Sequence, residues 1–109
     1  MIGMQLLQLP RRVVVTGIGA VSPLGLDVKT TWDALINSQS GVAPITRFET
    51  TNMPVKVACE VKGFDAKQFI DAKEIRRSDI YELYAIAAAK MAVADAQLQI
   101  TPAIADEIG

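Results

Sequence analysis

From Ser78 or Asp79 to about Leu98 the sequence reads as one long helix that is apolar or small on nearly every side. Ile80, Leu83, Tyr84, Ala87, Met91, Ala94 and Leu98 recur at helical spacing, while Ala85, Ala88, Ala89 and Ala92 fill the other sides. Between Glu82 and Asp95 the only charge is Lys90. A helix of this kind has to be covered on more than one side, and its alanines permit close approach of another backbone. One small sheet could hardly supply that cover, so the stretch is expected to need partner structure that the remaining residues do not provide.

The other segments point to an α/β chain. Val13, Val14, Val15 and Thr16 form a β-branched run closed by Gly17, the pattern of a strand buried on both faces and central in a sheet. A turn-rich stretch, Gly17-Ile18-Gly19-Ala20-Val21-Ser22-Pro23-Leu24-Gly25, follows. Asp27 is then placed to cap a helix bearing Val28, Trp32, Leu35 and Ile36 on one face, with Gly41 to end it. Val55, Val57, Cys59 and Val61 alternate with Lys56, Ala58, Glu60 and Lys62, which predicts a half-exposed strand with Cys59 facing inward. Asp65 with Gln68, and Asp71 with Glu74, have capping-box spacing and predict two short helical turns. Thr101-Pro102 reads as a helix cap with proline at the first helical position.

Charge and reactive residues exclude several function classes. Eleven Lys and Arg nearly balance twelve Asp and Glu, a poor match to a nucleic-acid binder. No apolar run reaches the roughly 18 residues of a membrane helix, and the one cysteine suits a reducing cytoplasm. Residues 1–10 lack a signal-peptide pattern and read as a short N-terminal extension. With no histidine, the chain cannot assemble a Ser/His/Asp or Cys/His set or a zinc site of usual ligand type.

Gly17-Ile18-Gly19 after a strand invites comparison with dinucleotide-binding loops, but Ser22 stands where the third glycine belongs and Gln39 where a ribose-binding acid is needed. The plainer reading is a strand-to-helix turn with tight packing. The whole string from Val13 to Gly25, however, closely resembles the opening strand and loop of β-ketoacyl-acyl-carrier-protein synthases. The likeness continues through Thr31-Trp32-Asp33-Ala34-Leu35, Gln39-Ser40-Gly41-Val42, Gly63-Phe64-Asp65 and Lys73-Glu74-Ile75-Arg76-Arg77-Ser78-Asp79 into the alanine-rich helix, so that residues 11–109 are covered.

This resemblance implies a thiolase-like fold, of which residues 11–109 would be the first, incomplete part of the N-terminal half. It further implies a cytoplasmic, homodimeric acyltransferase of fatty-acid synthesis, without metal or organic cofactor, that condenses malonyl-carrier protein with an acyl thioester. The nucleophilic cysteine and two histidines of the family match nothing in this chain, which alone would be inactive. Cys59 is expected to be an inert packed thiol. Two other readings stay open: a catalytically silent chain-length subunit, and a module that only binds carrier protein or scaffolds.

One local charge excess stands out: Lys62, Lys67, Lys73, Arg76 and Arg77 against Asp65, Asp71 and Glu74. Arg76 and Arg77 precede a helix N-terminus, where the dipole disfavours cations. From composition alone the favoured reading is a solvated basic turn whose arginines pair with Asp79 or Glu82. The resemblance nominates Lys73, Arg76 and Arg77 as the residues that dock acyl carrier protein.

Overall fold

The computed structural model describes residues 11–109, so the expected extension over residues 1–10 lies outside the described residues. In chain order it contains α1 (Val28–Ile36), β1 (Ala43–Pro44), β2 (Val57–Ala58), a 3-10 turn (Ala66–Gln68), α2 (Ala72–Ile75), α3 (Ile80–Asp95) and a final 3-10 turn (Ala105–Glu107). β1 and β2 pair antiparallel, Ala43 opposite Ala58 and Pro44 opposite Val57.

Acidic caps start the helices where the sequence places them. Asp27 accepts the Thr30 N–H at 2.7 Å and the Thr30 hydroxyl at 3.0 Å. The carboxyl of Asp27 is held below its ordinary pKa mainly by that amide. Asp71 accepts the N–H groups of Lys73 and Glu74, and Asp65 that of Lys67. At α3 the cap is Asp79, not Ser78, and its backbone N–H donates to Glu82 at 2.9 Å. Such side-chain bonds occupy donors that the first helical turn leaves unpaired.

The helix ends differ from expectation. α1 stops at Ile36 rather than near Gly41, because Ser38 adopts the left-handed region (φ 54°). Its N–H bonds Leu35 at 3.0 Å, and the Gln39 N–H bonds Ala34 at 2.9 Å. α3 ends at Asp95 in the same manner, with Gln97 at φ 52° and the Leu98 N–H on Val93, which leaves Leu98 outside the helix. This is the Schellman arrangement, which reuses carbonyls the last turn leaves orphaned. After Thr101, whose carbonyl accepts from Ile104 and Ala105, only a turn and a 3-10 segment form.

The strand expectations are the largest corrections. Residues 13–16 belong to no sheet among the described residues, and Val13 and Val15 are 92% and 83% exposed. The predicted strand over residues 55–61 shrinks to Val57–Ala58 with its phase reversed: Ala58 and Glu60 are half-buried, whereas Val55, Val57 and Cys59 are exposed. Cys59 is therefore not the packed thiol expected. On α1, Trp32, Leu35 and Ile36 are exposed as well, and Ala34 is the buried residue. All these positions share one physical cause, since no second layer of described residues lies over them.

The alanine-rich face of α3, by contrast, is in close contact with backbone. The Gly17-Ile18-Gly19 loop lies along it so tightly that a Cβ on Gly19 would stand 1.9 Å from the Ala88 carbonyl oxygen. A Cβ on Gly17 would stand 2.3 Å from that of Ala92. The intervening Ile18 N–H donates to Asp95 at 2.8 Å. Ala88, Ala92 and Ala96 form an i, i+4, i+8 stripe, and two glycines spaced by two present their bare sides to it. These glycines serve loop-to-helix packing, which removes the dinucleotide-binding reading.

Candidate functional site

The basic segment folds as a short arm in front of α3. Lys73 lies within α2, Arg76 is its C-cap, and Arg77 joins it to Ser78 and the α3 cap. The Arg77 N–H bonds the Glu74 carbonyl at 2.9 Å, so the turn that carries both arginines is closed by backbone. All three basic side chains are exposed. None has a hydrogen-bond or ion-pair partner among the described residues, where Lys29–Asp33, at 2.6 Å, is the ion pair present.

Three of the neighbouring acids are turned to backbone, whereas Glu74 is exposed on α2. Asp65 and Asp71 cap the two short turns, while Glu82 holds the Asp79 N–H and lies 3.5 Å from the Tyr81 hydroxyl. The pairing of Arg76 and Arg77 with Asp79 or Glu82 is thus not formed. A face results on which cations meet solvent while most nearby carboxylates are engaged elsewhere, an arrangement suited to an acidic partner. The dipole argument needs one adjustment: Arg76 caps the C-terminus of α2, where a cation is favoured, so only Arg77 sits against its local dipole.

Several residues to which the sequence assigned no part in this site hold the arm in place. Phe64 meets Tyr84 of α3 edge-on, with ring centroids 4.9 Å apart, and is parallel to Phe69 at 6.3 Å. Lys90 of α3 donates to the Phe69 carbonyl. On the far side, Arg47 donates to the Tyr84 hydroxyl at 2.6 Å. Glu60 accepts the N–H and hydroxyl of Thr46 and the N–H of Arg47. The Thr46 hydroxyl is the main reason that the Glu60 carboxyl lies below its ordinary pKa. Glu60 and Arg47 thereby fix the loop after β1 against β2 and α3. Among the described residues no group of His, Cys, Asp and Glu is placed to hold a metal ion, and no helix is long and apolar enough to cross a membrane.

Comparison with known proteins decides the family. Residues 10–109 match the family described as β-ketoacyl synthase, N-terminal domain. The chain belongs to that family. The 3-oxoacyl-acyl-carrier-protein synthase 2 of Staphylococcus aureus (strain COL) is 50% identical over 99 residues, covering 91% of this chain and 24% of the relative. The protein of the same name from Coxiella burnetii is 43% identical over the same share. A solved structure described as the ishigamide ketosynthase/chain length factor superposes with a TM-score of 0.76 at 40% identity, over 82% of this chain and 22% of that one. The chain thus spans about a quarter of the length of these β-ketoacyl synthases, and its few helices and strands are a fragment of their thiolase-like fold.

Proposed function

We propose that this chain is the N-terminal portion of a decarboxylative condensing enzyme and that its own contribution is to dock the carrier protein through Lys73, Arg76 and Arg77. The observation that carries the docking role is the three exposed, unpaired cations beside carboxylates occupied by helix caps. The names of the relatives support the reaction class. In the complete protein, a cysteine thiolate beyond residue 109 takes the acyl group from its carrier thioester. Malonyl-carrier protein then loses carbon dioxide, the resulting enolate carbon attacks the acyl-cysteine carbonyl, and the thiolate leaves as the new carbon–carbon bond forms. Two histidines, also beyond residue 109, would hydrogen-bond the developing enolate oxygen.

Within this reading the complete enzyme is a cytoplasmic homodimer built from two related α/β halves and uses no cofactor. Cys59 takes no part, because the sequence offers no histidine to activate it. The likeness to a ketosynthase/chain length factor structure favours one second reading, a catalytically silent partner subunit. Incubating the complete protein with acyl- and malonyl-carrier protein separates the two: the condensing reading predicts a 3-oxoacyl-carrier product and an equivalent of carbon dioxide. Carrier binding without either product would assign the silent role.

A further inference from the structure

The arm that carries Lys73, Arg76 and Arg77 has little packing of its own. α2 is four residues long, too short to persist alone, and every residue of α2 except Ile75 is exposed. Its direction is therefore set by what holds the residues before it. Phe69 is the C-cap of the 3-10 turn, and its carbonyl lies two residues ahead of Asp71, which caps α2. That carbonyl accepts from the Lys90 ammonium across 21 residues of sequence. On α3, Lys90 follows Leu83 and Ala87 at i+7 and i+3, on the same side of the helix as these two buried residues. The ammonium thus clamps the joint between the 3-10 turn and α2 onto α3, next to the Phe64–Tyr84 contact.

We infer that Lys90 is a positioning residue for the docking face: its bond to the Phe69 carbonyl fixes the angle at which Lys73, Arg76 and Arg77 meet the carrier protein. This rests on the docking role proposed above. A hydrogen bond from a charged donor is stronger than a neutral one, and long-range ties are scarce in this arm. Without it the joint is left to the burial of Ile70 and turns more freely, and the three cations lose the fixed common angle that one acidic surface needs. Encounter with the carrier weakens, whereas chemistry at the nucleophile, which is no part of this arm, does not.

The test uses the complete enzyme with Lys90→Met, which keeps most of the apolar stem and removes the donor, and with Lys90→Arg, which can restore one. We expect Lys90→Met to raise the KM for carrier-bound substrate about fivefold. Its kcat, and its KM for a small thioester mimic, should not change, and Lys90→Arg should recover most of the loss. Amide exchange at Lys73, Glu74 and Arg77, all bonded within this arm, should speed up in Lys90→Met. A raised KM with unchanged exchange would make Lys90 one more docking charge, and an equal loss with both substrates would make it a general stability residue; either result overturns the positioning role. Unchanged KM in Lys90→Met overturns it too, while loss of carrier recognition on reversing Arg76 and Arg77 would leave the docking face standing. If that reversal also has no effect, the docking reading itself fails.

Discussion

Replacing Gly19 by alanine in the complete protein should cost about 3 kcal/mol of stability, the upper end of what overpacking inflicts. The added methyl would lie 1.9 Å from the Ala88 carbonyl oxygen and 2.7 Å from the Ala92 nitrogen. Both are backbone atoms of a continuous helix, so neither can turn aside as a side chain would. Relief requires the loop to lift off α3, which breaks the 2.8 Å bond from the Ile18 N–H to Asp95. Gly63→Ala is the matched control. Gly63 sits at φ 70° with nothing within 4 Å of a Cβ, so alanine there meets only the left-handed backbone penalty, about 1 kcal/mol. Denaturant midpoints should rank the wild type first, Gly63→Ala slightly lower and Gly19→Ala far lower. Equal midpoints for the two variants would mean that the loop does not rest on α3.

The 109-residue polypeptide on its own should not behave as a compact monomer. Its accessible surface is 9413 Å², against about 5,900 Å² expected for a folded monomer of this mass. The difference, roughly 3,500 Å², is about four times the roughly 800 Å² that one partner contributes to an ordinary protein–protein interface. The radius of gyration tells the same story, 20.6 Å where a compact chain of this length has about 13 Å. Only Ala34, Ile70, Leu83 and Ala87 make up the buried apolar core of the described residues, and three valines in a row, residues 13–15, are exposed. We expect the isolated chain to self-associate, to bind an apolar dye and to melt without a cooperative transition. A sharp melt from a monomer would instead favour a free-standing scaffolding module.

What could be read in the sequence, and what could not, divides along the range of the interactions. Asp27 and Asp71 were legible because a cap and the amides it serves lie within three residues of each other, whereas the choice between Ser78 and Asp79 was left open and falls to Asp79, whose amide Glu82 accepts. The alanine stripe of α3 was legible as a surface awaiting backbone, and the glycine loop that meets it carried its own signal. Residues 13–16 and 55–61 have strand chemistry, but a strand exists only through its partners. Without neighbours the first stays extended and unpaired, and the second pairs for two residues with Cys59 outward. Gly41 and Leu98 misplaced the helix ends because Ser38 and Gln97, ordinary residues in composition, take the left-handed position. At the site, the cluster of cations was visible as a local charge excess. The lack of partners for Lys73, Arg76 and Arg77 was not, because it depends on Glu82 turning to the Asp79 amide. The ties from Lys90 to Phe69 and from Arg47 to Tyr84 span 21 and 37 residues and leave no local pattern.

The docking role is most directly tested by reversing charge at the arm, with Arg76→Glu and Arg77→Glu together in the complete enzyme, and measuring KM for carrier-bound and small thioester substrates at low and high salt. Complementary charge acts mainly on encounter and orientation, and its reach shrinks from about 10 Å at 0.1 M salt to about 3 Å at 1 M. We predict that KM for the carrier-bound substrate rises about 30-fold at low salt and only a few-fold at high salt, while the small thioester is turned over as by the wild type; equal losses with both substrates, or a carrier KM that neither the reversal nor salt moves, would contradict it.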